Sequence, residues 1–158
     1  MCAIALLGVV GCSNKAENEV VQEKVENEVV QEQSETTKKD IPNGLTEEVG
    51  EGNMFISTPG GTSENGNIPT IFVEEDTMLL QIALDSENFD GSKLSYIYVD
   101  GMLTSKEQLG EMSQVSVDLK EKELSQGEHS VEVVQYDNNE AGGNIITYKK
   151  ASYNVSQN

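Results

Sequence analysis

Hydrophobic residues are distributed along this chain in three different ways. Residues 3–10 form one apolar run, AIALLGVV; residues 13–52 scatter a few valines through Glu, Gln, Asn, Ser and Thr; from Asn53 onward, short alternating runs recur between clusters of Gly, Asn, Asp and Ser. Strict alternation is the signature of a strand with one buried face, because successive side chains point to opposite sides of a sheet. The clearest case is Thr77 to Leu84, where Met78, Leu80, Ile82 and Leu84 share a face. Leu94 to Val99 alternates similarly, with Ile97 and Val99 inward, and Asp100-Gly101 supplies a hairpin turn. Val115, Val117 and Leu119 form another inward set. His129 to Tyr136 and Ile145 to Val155 close the series, and Met54 to Ser57 and Thr70 to Val73 open it. About seven short strands with regular turn signals and no long helical stripe predict an all-β antiparallel sandwich over residues 53–158. Met102, Leu109 and Met112 are expected in an irregular connection over one end of it.

The middle regime predicts no fold. From Ser13 to Gly52 there is no aromatic residue, and 11 acids stand against 4 lysines. Such a segment buries too little apolar surface to offset its ordering entropy, which makes residues 12–52 a disordered acidic tether. Within it ENEVVQE occurs twice, at Glu17–Glu23 and Glu26–Glu32. A nine-residue period turns the two valine pairs to opposite faces of either a helix or a strand, which fits a duplicated linker better than a repeated apolar face. The alternative, a helical stripe of Val21, Val25 and Val29, is barely two turns of a poor helix former. A coil of this length spans roughly 35 Å on average and at most about 130 Å.

The first regime reads as a targeting signal. An eight-residue apolar run is too short for a bilayer span, which needs about 20 residues, and suits a signal-peptide core. Val9-Val10-Gly11-Cys12 resembles the lipobox of bacterial lipoproteins. That resemblance implies a signal peptide over residues 1–11, cleavage before Cys12 and a diacylglyceryl thioether on its sulfur. It places the mature chain on the extracytoplasmic face of the cell membrane. Each buried CH₂ of the acyl chains contributes roughly 0.8 kcal/mol, so two or more chains anchor stably. No basic residue precedes the run, and the expected start therefore lies upstream. The other reading is an apolar N-terminal strand or helix holding an ordinary Cys, against which the abrupt change to Ser13-Asn14-Lys15 argues.

Composition narrows the partners. With 28 acids against 10 basic residues, a formal net charge of −18, the chain lacks the basic footprint that nucleic acid requires. Both cysteines, Cys2 and Cys12, precede the predicted domain, which folds without disulfides or thiolate ligands.

A second resemblance concerns the domain. Tyr98-Val99-Asp100-Gly101, then Leu124-x-x-Gly127-x-His129-x-Val131-x-Val133, then Tyr136-Asp137-Asn138-Asn139, is similar to bacterial immunoglobulin-like and fibronectin type III-like domains. It implies that His129 stands at the corner where the family places a Tyr whose polar tip bonds back to the backbone. The chain lacks a core Trp and a cysteine pair, so an antibody-type member is excluded. The motifs specify a fold, not a ligand.

Little chemistry remains. His129 is the sole histidine, with no second imidazole for a metal and no recognisable nucleophile elbow, so no catalytic residue and no cofactor are expected. Asp85, Glu87 and Asp90 are candidate calcium ligands in an oxygen-rich loop, but Phe89 occupies a ligand position and breaks the EF-hand pattern. Solvated turns account for them, as they do for Asp137-Asn138-Asn139-Glu140. Gly60 to Gly66 reads as a flexible loop, not a phosphate cradle. The five tyrosines are either packed between strands or form an interface patch. The expectation is a non-enzymatic, membrane-anchored lipoprotein whose sandwich binds, adheres or serves as an accessory module for an envelope protein or glycan. A small carboxylate-dependent hydrolase, a calcium-dependent carbohydrate binder and a pure spacer are the alternatives; the sequence names no ligand-binding residue.

Overall fold

A computed structural model describes residues 41–157, and within them nine strands form two sheets packed face to face. One sheet holds β1 (Asn53–Thr58), β2 (Gly61–Thr62), β4 (Leu79–Glu87) and β7 (Met112–Lys120), in the order β2-β1-β4-β7. The other holds β3 (Thr70–Val73), β5 (Ser95–Val99), β6 (Met102–Glu107), β8 (Gly127–Tyr136) and β9 (Ile145–Gln157), in the order β3-β9-β8-β5-β6. The chain crosses to the second sheet after β2 and returns with β4. The result is a β-sandwich, as the alternation predicts, of the immunoglobulin-like kind that the resemblance implies.

Alternation explains the core directly. Ile82 and Leu84 of β4 face Ile97 and Val99 of β5 and Val131 and Val133 of β8 across the sandwich, all essentially solvent-free. Each such side chain, fully buried, contributes about 1.5–3 kcal/mol of transfer free energy. Phe89, Leu109 and Leu124, from connecting segments, plug the same core. Met78 does not join it: β4 begins at Leu79, and Met78 lies 83% exposed ahead of the strand.

Two details go beyond the predicted pattern. All pairings are antiparallel except β3 on β9, which runs parallel from Thr70↔Asn154 to Val73↔Gln157. β6 is a full edge strand where an irregular connection was expected; Met102 opens it, Met112 opens β7, and Leu109 is buried between them. Apart from the exposed Lys106, its residues MLTSKE are half-buried without a polar-apolar rhythm, which is why periodicity misses it. The predicted turn is present: Asp100 and Gly101 both have positive φ, 49° and 76°, as a two-residue hairpin of the type I′ kind demands.

The five-stranded sheet is covered on both faces. Tyr96, Tyr98, Val134, Tyr136 and Tyr148 form a second cluster on its outer side, packed against Ile41, Leu45, Leu94, Leu103, Ala141 and Ile145. Residues 41–49, which composition assigns to the tether, lie along this face as a strap. Ile41 N–H donates to Gly101 O at 2.8 Å, and Val49 exchanges both backbone bonds with Tyr148 at 3.0 and 2.9 Å. Gly50, at φ 78°, then turns the chain into β1, so close to Ile146 O that a Cβ has no room.

Candidate functional site

The His129 corner is a structural joint. The ring lies buried at the start of β8, stacked on Tyr153 at 5.1 Å. Its Nδ1 meets Asp100 Oδ2 and its Nε2 meets Ser125 O, each at 2.7 Å. Both partners are acceptors, an arrangement that favours the doubly protonated, cationic imidazole. Burial by itself pushes the pKa down, but the hydrogen bonds to Asp100 and Ser125 and the charges of Asp100 and Glu123 outweigh it, leaving the pKa raised. The bond back to Ser125 is the backbone anchor that the resemblance implies for this corner.

The tyrosines are spent on packing. Tyr96 and Tyr136 meet edge to face at 5.2 Å, Lys106 Nζ sits 4.8 Å over the Tyr96 ring, and Tyr148 O–H donates to the buried Glu132 at 2.8 Å. Tyr153 O–H donates to Glu123 O. All five rings are buried, so the interface-patch reading is set aside.

The calcium candidates are dispersed. Asp85 lies on β4, accepting from Ser57 Oγ at 2.9 Å and Gln114 Nε2 at 2.6 Å across the sheet. Glu87 ends β4 with its side chain exposed. Asp90 closes a turn, accepting from the N–H and hydroxyl of Ser92, and these bonds hold its pKa below the ordinary value. Phe89 between them is a core residue. Among the described residues no three His, Cys, Asp or Glu side chains converge as a metal site. Asp137 is likewise occupied by Asn144, which donates to it from both backbone and side-chain nitrogens. Cys12, Cys2 and the ENEVVQE repeat lie outside the described residues.

A concavity that no sequence motif marks lies at one edge of the sandwich. A groove of about 720 Å³ opens between the edges of the two sheets, where β1 of one lies beside β9 of the other. Met54 and Phe55 form one wall, Lys150 to Ser152 the other, and the turn from Ser63 to Ile68 closes an end. That turn is pinned: Ser63 Oγ accepts from Ile56 N–H, and Ser63 N–H donates to Ile56 O, both at 2.9 Å. Gly60 passes so close to Thr70 O that no Cβ fits. The Gly60-to-Gly66 stretch is therefore built structure, not merely a flexible loop.

Charge in the groove is mostly negative. Glu48, Glu64 and Glu87 line it with Lys150. Lys150 leans to Glu132 at 3.7 Å, Glu48 lies 3.3 Å from Lys149 Nζ, and Glu64 accepts from Thr62 at 3.0 Å. No sequence motif marks these residues, because they come from four separate segments; Gly60 and the Asn-rich turn after Ser63 were the available signals.

No family model and no curated protein matches the chain. Among solved structures, fibronectin(III)-like modules of CbhA from Clostridium thermocellum share 15% identity over 69% of this chain and 48% of theirs, with a TM-score of 0.38. A lytic polysaccharide monooxygenase from Jonesia denitrificans shares 19% identity over 56% and 58%, with a TM-score of 0.30. The chain thus spans about half the length of the structures it matches. The architecture stands on its own strand order and register.

Proposed function

We propose that this protein is an extracytoplasmic lipoprotein, held at the cell membrane through Cys12, whose immunoglobulin-like sandwich is a binding module for an envelope protein or glycan. The groove between β1 and β9 carries the binding half of this reading: it is a large polar recess whose end turn is fixed by a buried hydrogen bond. Preformed concave sites with a few oriented polar groups are where ligands bind. The anchor half rests on the lipobox-like VVGC and the acidic stretch that follows it. Among the described residues no helix is long and apolar enough to cross a membrane.

Glu48 and Glu64 are engaged by neighbouring donors, which suits fixed charge better than the acid and base of a hydrolase. Labelling with a radioactive fatty acid tests the anchor: the native chain takes up label and Cys12→Ala does not. A native chain that stays unlabelled and fractionates with cytosolic proteins overturns it.

A further inference from the structure

We propose that the groove between β1 and β9 accepts a short, extended, lysine- or arginine-bearing peptide as an added strand on β9. The inference deepens the binding-module reading and rests on it. Backbone geometry supplies the first argument. Tyr148 N–H bonds outward to Val49 O, and Asn154 N–H bonds outward to Pro69 O. Since outward-pointing groups recur at every second residue of a strand, Lys150 and Ser152 turn their N–H and C=O to the same side.

That side is occupied at both ends and open between them. Val49 pairs at Tyr148, and β3 begins only at Asn154. The interval of six residues is about 20 Å long, room for roughly four residues of an inserted strand. β1 forms the opposite wall of the groove through Met54 and Phe55, and the inserted strand pairs on its β9 side alone.

A side chain already mimics the missing strand. Lys150 N–H donates to Glu48 Oε1 at 3.3 Å, where a paired strand would place its carbonyl oxygen. An arriving backbone carbonyl needs to replace only this Oε1 contact, while Oε2 keeps its 3.3 Å pairing with Lys149 Nζ and the carboxylate stays at the opening. Pairing of a free strand with an open sheet edge is a general mode of peptide recognition: main-chain bonds give affinity and alternate side chains give specificity.

Charge selects the occupant. Glu48, Glu64 and Glu87 surround the opening, and the one lysine there is drawn to Glu132. The chain's own residues 13–52, with 11 acids against 4 lysines, carry the wrong sign. A cationic segment from another molecule fits, alternating basic residues toward the carboxylates.

The test uses the full chain and a fluorescent hexapeptide, (Lys-Thr)3, in anisotropy titrations, with (Glu-Thr)3 as its counterpart. Two further versions of (Lys-Thr)3 are N-methylated at alternate nitrogens, one set or the other. The expected result is saturable binding of (Lys-Thr)3 and none of (Glu-Thr)3. One methylated version should bind at least tenfold more weakly than the other, and the Ser152 amide should gain exchange protection. Glu64→Gln/Glu87→Gln should weaken binding about tenfold while leaving the melting temperature unchanged. Equal binding of both methylated versions, or no binding at millimolar peptide, overturns the proposal. Fatty-acid labelling separates the two readings: intact labelling without peptide binding removes only the groove assignment, and lost labelling with peptide binding removes only the anchor.

Discussion

His129 Nδ1–H and Asp100 Oδ2, 2.7 Å apart, join the start of β8 to the β5–β6 hairpin turn through a charged hydrogen bond. Asp100 Oδ1 also accepts from Ser130 N–H at 3.0 Å, and Asp100 N–H donates to Ser130 O. The turn is thereby riveted to the neighbouring strand, and the rivet is made by a proton that can leave.

Its loss has a defined sign. The folded-state pKa of His129 is raised above 6.5, so the stabilisation is fully present below that value and disappears as pH climbs through the folded pKa. The other ionisable groups facing the ring are Asp100, Glu123 of the turn before β8, and Tyr153 of β9. Glu123 acts in the same direction, because burial raises its pKa and its neutral form is favoured in the fold. Thermal melts of wild type and Asp100→Asn should differ most near pH 6 and converge toward pH 9. A gap that does not narrow contradicts the ionic origin. His129→Ala should cost about 3 kcal/mol at pH 6, from one charged hydrogen bond, one bond to a backbone carbonyl and a ring stack.

The buried tyrosines give an alkaline counterpart. Burial pushes the phenols of Tyr98, Tyr136, Tyr148 and Tyr153 above the ordinary value near 10. An acid with a raised folded pKa ionises first in the unfolded chain, so stability falls once pH passes about 10. Absorbance at the phenolate wavelength should therefore rise for these four groups together with unfolding, as one cooperative step measured alongside circular dichroism. Smooth, independent ionisation in a folded chain would contradict their burial.

Core and surface methylenes separate cleanly. Leu84→Ala should cost about 3–5 kcal/mol, since Leu84 is solvent-free at the centre of the sandwich. Met78→Ala and Met112→Ala should change stability by less than about 0.5 kcal/mol, because both side chains are more than 80% exposed. Denaturant titrations at constant m-value give the comparison.

Gly50→Ala tests the strap. Its φ of 78° and the contact with Ile146 O leave no room for a methyl, and the strain falls on the turn that joins the strap to β1. The expected cost is about 2 kcal/mol or more, with faster quenching of tyrosine emission by acrylamide as the strap lifts from Tyr148. Tyrosine reports without interference, since the chain has no Trp. Unchanged quenching would show that residues 41–49 do not shield the cluster.

The strands most legible in the sequence are those with one wet face. β4 and β7 alternate because half of each strand meets water. β5 and β8 also bury their outer face, which is why SYIYV and VEVVQY read as near-continuous and left the tyrosines ambiguous. The strap's share of the cover for that face comes from Ile41 and Leu45, too widely spaced within an acidic stretch to register as structure. His129 was legible because a corner motif fixes its neighbours in sequence. The groove was not, because Glu48, Met54, Glu64 and Ser152 converge only through the crossing of the chain from one sheet to the other.

Because the strap lies on the sheet rather than within it, the domain meets a pull on its N-terminal side in two stages. Tension reaches the single Ile41–Gly101 bond and then the Val49–Tyr148 pair before it loads any strand of the sandwich. Peeling residues 41–52 would pay out about 40 Å of chain while the rest stays folded. In a pulling experiment the strap would behave as a mechanical fuse, giving a small early extension before the sandwich ruptures.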